Sequence, residues 1–174
     1  SLAWLDPERC MTSLMSKVSD NRIIQDTGTG GAWPVSSDRV VWALAAWEIY
    51  KYTGDKEWLL NAFGIITNSM ESDIMTITDH ETGLIRGESS FLDWRKQTYP
   101  LWMEPADIYG SLNLGTNVAY CQALRVTGMM ARELGREDNW SERAEELGEK
   151  INNHLWLEEK GYYGQYLYGR RYRT

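Results

Sequence analysis

The stretch SSDRVVWALAAWEIYKYTGDKEW, residues 36–58, decides the fold. Ser36, Ser37 and Asp38 offer the short side-chain oxygens that cap a helix start. Val40, Val41, Leu44, Ala45, Trp47 and Tyr50 then recur at helical spacing as far as Tyr52. Thr53-Gly54-Asp55 stops that helix and caps a second, expected from about Lys56 to Ile77. So short a link forces an antiparallel return, which makes the pair an αα-hairpin.

Working outward, the same grammar repeats. Asp6-Pro7-Glu8 reads as an N-cap with proline in the first turn, and Met11, Leu14, Met15 and Val18 share one face, so a helix is expected over about 7–19. Asn113 to Leu134 reads as a long helix closed by Gly135. Glu142 to about Leu155 reads as its partner, carrying Ala144, Leu147 and Ile151 and ended by Trp156. Gly161 to Gly169 alternates loosely and is too glycine-rich for helix, so it reads as one short strand. The unit of inner helix, turn, outer helix and long loop recurs at roughly 70 to 75 residues, and stacked hairpins of this kind place their long loops on one rim. The expected fold is all-α, an arc of antiparallel αα-hairpins in one domain over 1–174, with inner helices at about 37–53 and 112–134 and outer ones at about 56–77 and 140–155.

Composition narrows the function. A hydrophobic fraction of 43% and a charged fraction of 25% are globular values, and no apolar run reaches the roughly 20 residues that span a bilayer. A net charge of −7, with basic residues gathered only at Arg170, Arg171 and Arg173, excludes a nucleic-acid partner from the expectation. Cys10 and Cys121 read as two buried free thiols, and the isolated His80 and His154 offer no zinc spacing, so neither metal nor cofactor is expected. The chain opens without a basic and apolar leader, so no signal peptide is expected, and the compartment stays open. Asn139-Trp140-Ser141 matches a glycosylation sequon but reads as helix capping, and Asp79 to Gly83 reads as a turn. Nine Trp and ten Tyr stand against two Phe. Rings with a polar handle suit half-wet surfaces, as where sugar C–H groups stack; Trp42, Trp47, Trp58 and Trp156 sit at helical spacing and are assigned to packing instead.

Between the two hairpins lies Gly87-Glu88-Ser89-Ser90-Phe91-Leu92-Asp93-Trp94-Arg95-Lys96-Gln97-Thr98-Tyr99-Pro100, a loop that gathers carboxylates, a guanidinium and large aromatics without any sustained period. A loop of such residues reads as a site.

Glu88-Ser89 followed by Asp93-Trp94 resembles the acid-bearing motif of trehalases and processing α-glucosidases. Ser111-Leu112-Asn113, Tyr120, Leu124, Ala131 to Gly135, Trp140, Arg143-Ala144, Ile151-Asn152, Leu155-Trp156 and Gly161-Tyr162-Tyr163 are similar, in order and spacing, to the segment that follows it there. The likeness spans about residues 33–168 and extends to the six-hairpin glycosidases generally, glycogen-debranching-like enzymes among them. It implies an (α/α)6 toroid of twelve helices, of which this chain would be a piece, and an inverting glycoside hydrolase acting on α-linked glucosides or related oligosaccharides. It also places Asp93 as the general acid, with the general base outside the chain. One departure is that Ser90-Phe91-Leu92 stands where the family carries glycine, which leaves Glu88 as the other candidate for the acid position, with Asp93 the better match.

Inverting cleavage needs a protonated acid at the leaving oxygen and a carboxylate about 6.5 to 9.5 Å away that activates water. Phe91, Leu92 and Trp94 would desolvate Asp93 and raise its pKa as that role requires, the alternative being a loop aspartate paired with Arg95. Glu88 would orient Arg95 or bind a sugar hydroxyl. Trp33 is the expected stacking platform, with Asp38 and Arg39 entering the mouth at an inner helix start. Tyr99, Trp102, Glu104 and Asp107 supply rings and hydroxyl acceptors on the next rim loop, and Asn113 carries over as a site-proximal amide. Capping is the competing role for Asp38 and Asn113. The competing function is a non-catalytic carbohydrate-binding or interaction module of stacked hairpins; no phosphate-binding Arg/His set or Tyr/His pair points to phosphorolysis or lysis. An open arc would also favour self-association through its uncovered face.

Overall fold

The computed structural model describes residues 2–25, 38–87, 100 and 102–168. Asp6 caps α1 (Pro7–Met15), its carboxylate accepting the Arg9 N–H at 3.0 Å, with Pro7 in the first turn. The helix ends at Met15, short of the expected residue 19, because a hairpin takes over. Asp20 and Asn21 both adopt positive φ, 50° and 55°. That turn folds β1 (Val18–Ser19) back on β2 (Arg22–Ile23), pairing Val18 with Ile23 and Ser19 with Arg22. Positive φ at both central residues is the condition of a tight two-residue hairpin, and Asp and Asn tolerate it best after glycine.

The decisive hairpin forms as its sequence reads. A 3-10 turn, Asp38–Val41, leads into α2 (Trp42–Thr53), and Gly54 at φ 64° closes that helix with its N–H on the Tyr50 carbonyl at 2.8 Å. Asp55 then caps α3 (Lys56–Thr76) by accepting the N–H groups of Glu57 and Trp58 at 2.9 and 3.0 Å. Beyond it come α4 (Pro105–Tyr109), a helix of one turn inside the expected connector, β3 (Leu112–Asn113), α5 (Leu114–Glu133) and α6 (Trp140–Leu155). Asp138 opens α6, accepting from the N–H groups of Trp140 and Ser141, while Asn139 of the sequon makes no side-chain cap.

The expected C-terminal strand is in fact divided. β4 (Trp156–Leu157) pairs with β5 (Tyr162–Tyr163), whereas β6 (Tyr166–Leu167) crosses to β3, aligning Leu112 with Leu167 and Asn113 with Tyr166. Gly164 breaks the run, its N–H turning to the Leu155 carbonyl at 2.7 Å.

Two three-residue clusters fix the helix directions. At one end Arg39 from the turn into α2, Asp73 from the last turns of α3 and Tyr120 from the early part of α5 are bonded together. At the other end Tyr50 of α2 donates to Glu133 of α5 at 2.7 Å, and Lys56 of α3 pairs with the same carboxylate. The start of α2 thus lies with the start of α5 and the end of α3, so α2 and α5 run parallel and α3 runs against both.

Trp42 and Trp58 anchor the core with ring centroids 6.1 Å apart, and both indole nitrogens find carbonyls: Leu14 at 2.9 Å and Ala46 at 3.0 Å. α5 is buried around most of its girth, from Thr116 to Ala131, as an inner helix should be. α6 buries a single stripe of Trp140, Ala144, Leu147, Ile151 and Leu155, as an outer helix should. α3 is buried more broadly than a one-sided outer helix, because β2 and the turn before α2 also pack on it. Trp47 is only half-buried. Trp156 leaves the core altogether, 40% exposed, with its indole N–H on Glu158 and its ring edge against Tyr163. Cys121 is buried and Cys10 half-buried, both as free thiols.

Candidate active site

A short ribbon, residues 78–87, immediately precedes in the chain the segment that carries the chemistry-bearing residues. Thr78 bridges Ile85, and Asp79 organises the turn between them, accepting the N–H and hydroxyl of Thr82 at 3.0 and 2.9 Å and pairing with Arg86. Burial by itself would raise the Asp79 carboxyl; the bonds from Arg86 and Thr82 outweigh it and hold the group well below the usual carboxylate range. The ribbon is tied to α5 through Asn117, whose side chain bonds both the N–H and the carbonyl of Ile85. Gly87, at φ 125°, then runs parallel to β3, its N–H on the Ser111 carbonyl at 3.1 Å. Glycine is suited there because that backbone conformation is strained for any residue with a Cβ.

Asp93, Glu88, Trp94, Arg95 and Tyr99 lie outside the described residues, as does Trp33, and of Asp38 only the backbone is described. The chain is described again at Pro100, whose carbonyl takes the Met103 N–H at 3.0 Å. Trp102 is 52% exposed and leans on Tyr168 with centroids 5.1 Å apart. The Tyr168 hydroxyl donates to Asp107, which also accepts the Glu104 N–H at 3.0 Å. Glu104 itself is exposed and begins α4. Trp102, Glu104, Asp107 and Tyr168 therefore form one surface group beside the ribbon's exit, held from below by the β3–β6 pairing.

Two sequence-derived candidates sit deeper than expected. Arg39, read as entering the mouth, is 2% exposed. Its Nη2 donates to Asp73 at 2.7 Å and its Nε to the Ile23 carbonyl at 2.6 Å, because the 3-10 turn aims it between α3 and β2. Burial pushes the Asp73 carboxyl above its ordinary value against the pull of Arg39, and burial together with the Asp73 charge pushes Tyr120 well above its own. Asn113 is fully buried and caps α5, its side-chain oxygen accepting the Gly115 N–H at 3.0 Å. Both are bonded within the scaffold rather than open to solvent.

Asp73, Asn117 and Tyr168 were missed in the sequence, and Tyr120 was noted there only as part of the family likeness. Asp73 had a signal: it lies four residues after Ser69 on a face otherwise made of Leu59, Ile66 and Met70, and a carboxylate in such a stripe demands a buried partner. Among the described residues no group of three or more His, Cys, Asp or Glu could hold a metal ion, and no helix is long and apolar enough to cross a membrane.

The family model of the bacterial alpha-L-rhamnosidase 6 hairpin glycosidase domain matches residues 10–170. The chain belongs to this family. As a six-hairpin glycosidase domain it has the hairpin architecture seen here, and its class is that of glycoside hydrolases acting on carbohydrate. The match supports the six-hairpin class to which the resemblance led, and it names a rhamnosidase rather than a trehalase or α-glucosidase. No curated protein matches the chain.

Proposed function

We propose that this six-hairpin domain supplies the acid-bearing side of an inverting glycosidase site, with a terminal α-L-rhamnoside or a related α-linked sugar as substrate. Asp93 is the general acid, delivering its proton to the leaving oxygen. Glu88 orients Arg95 or takes a sugar hydroxyl. Trp33, Asp38, Trp94, Arg95, Tyr99, Trp102 and Glu104 bind the sugar, with Arg39 and Asn113 holding the inner helix starts beneath them. The base that activates water is assigned to a carboxylate outside residues 1–174.

One observation supports this most: the described chain stops at a ribbon pinned by Asn117 just before residues 88–99, and soon after them comes the exposed Trp102, stacked on Tyr168. A rigid base before an acid-bearing segment and an aromatic face after it suit the preorganisation that sugar cleavage requires. The family match supports the reaction class and suggests the sugar.

The test uses the complete enzyme with Asp93→Asn on aryl α-L-rhamnosides of graded leaving group, and on the matching α-glucosides. The rate on poor leaving groups should fall by about 10² to 10⁴, the usual contribution of general acid catalysis, with a much smaller loss on activated ones. Equal losses across the series overturn the acid role, and turnover of glucosides alone overturns the sugar. The exposed Trp102–Tyr168 pair also favours a second reading, a carbohydrate-binding module without catalysis; saturable sugar binding with no turnover by the complete protein would establish it.

A further inference from the structure

A cleft of about 230 Å³ opens between α3, the 78–87 ribbon, α5 and α6, and nothing in the proposed reaction uses it. Its size is far above the roughly 10 to 15 Å³ that admits one water. Ile74, Ile85, Leu124 and Leu147 give it apolar walls, one from each of those four elements. Its polar lining comes from Thr78, Arg143, Glu146 and Lys150.

Two of these groups are in an expensive state. Thr78 Oγ1 and Arg143 Nη1 are both buried, and among the described residues neither has a hydrogen-bond partner. A guanidinium N–H can only donate, so burying one without an acceptor is costly unless an oxygen from elsewhere meets it. Arg143 is also held in place, its guanidinium 4.8 Å over the ring of Trp140, so turning to water would break that stack. Lys150 lies across Gly83, where a Cβ would come within 2.8 Å of its Cδ and Cε. Glu146 is 3.9 Å from Lys150 with its carboxylate group's side chain 56% exposed, so it offsets the two cations only from the solvent side.

We propose that this cleft is a binding site for a small organic anion, with an oxyanion head at Arg143 and Thr78 and a short apolar body against Ile85, Leu124 and Leu147. The head is a carboxylate or a phosphate monoester, either of which offers acceptors; Nη1 and the Thr78 hydroxyl are closed to water as they stand, so both side chains turn slightly toward the cleft to meet it. Lys150 adds the second positive charge from the open side. The occupant would join α6 to the ribbon that leads into residues 88–99, and so bear on the acid loop from outside the sugar site.

The experiment is calorimetric titration of the purified complete protein with sodium butyrate, butyl phosphate, inorganic phosphate and 1-butanol. One butyl anion should bind saturably at a single site and at least about tenfold tighter than butanol. Arg143→Gln should weaken it by about tenfold or more, and Thr78→Val by several-fold, with far-UV circular dichroism unchanged. Preference for butyl phosphate identifies a phosphate head, and preference for butyrate a carboxylate head. If Arg143→Gln fails to fold, Arg143→Lys, which keeps the charge and loses the fork, replaces it with the same expected direction. No saturable anion binding up to roughly 50 mM, equal binding of butanol, or undiminished binding in the Thr78 and Arg143 variants overturns the proposal and leaves a water-filled cleft.

Discussion

Asn117 brackets Ile85: its side-chain oxygen accepts the Ile85 N–H at 2.7 Å while its amide nitrogen donates to the Ile85 carbonyl at 3.0 Å and to that of Asn113 at 2.8 Å. A side chain on a helix thus replaces a neighbouring strand, and the ribbon that precedes residues 88–99 depends on it.

Asn117→Ala should leave two buried backbone groups of Ile85 without partners. Each such group costs about 1 to 3 kcal/mol, so a loss of about 2 to 4 kcal/mol is expected in chemical denaturation. Asn117→Asp keeps the acceptor but loses the donor, and should be at least as damaging. A loss below about 0.5 kcal/mol for both would show that the ribbon is held elsewhere.

Asp79 predicts a particular acid response. Its folded pKa is depressed, so its contribution is present above the unfolded value, ordinarily 3.8, and is lost as pH falls below that. Asp79→Asn should lower the melting temperature at pH 7 and flatten the decline of stability between about pH 4 and 2. A variant that keeps the wild-type slope there would remove Asp79 from the acid response.

Gly128→Ala sets two effects against each other. Alanine raises helix propensity by about 1 kcal/mol over glycine. Its Cβ, however, would sit 2.5 Å from Ser141 Oγ and 2.6 Å from Asp138 Oδ1, where α5 meets the start of α6. Those atoms are committed, Ser141 donating to Asp138 at 2.7 Å and Asp138 capping the helix. Net destabilisation of about 1 to 2 kcal/mol is expected, and a stabilised variant would mean that the Asp138 turn shifts freely.

Trp102→Ala in the complete enzyme should raise KM about tenfold, with kcat changed less, since the ring offers a stacking face rather than a proton. Tyr168→Phe removes the bond to Asp107 and should give a smaller change in the same sense. Kinetics on one rhamnoside measures both, and an unchanged KM in Trp102→Ala would take the pair out of the sugar site. The magnitude follows from about 1 to 1.5 kcal/mol for a lost aromatic contact.

The long helices were legible because capping and periodicity act locally: Gly54 and Asp55 between α2 and α3 behave as their residue types dictate. The end of α1 was misread because Val18 extends the apolar stripe while the positive φ of Asp20 and Asn21 overrides it. The strands near the C-terminus were blurred because β6 takes its partner from β3, more than fifty residues earlier. Trp102 and Glu104, expected on a rim loop, are exposed in the structure, and Tyr168 joins Trp102 only through that distant pairing. Arg39 was read as site-facing and Asn113 as site-facing or a cap, and the packing around them puts both beneath the surface.

The two clusters that fix the helix directions are not equivalent. Arg39, Asp73 and Tyr120 are sealed from water, while Lys56 and Glu133 stand in solvent, where salt screens them. The arc is consequently polarised in its resistance to opening. Amide hydrogens at the Tyr50–Lys56 turn should exchange first, and faster at high ionic strength, while those flanking Arg39 and Asp73 exchange only when the whole structure unfolds. The end from which the 78–87 ribbon departs is therefore the last part to come apart, while the opposite end breathes.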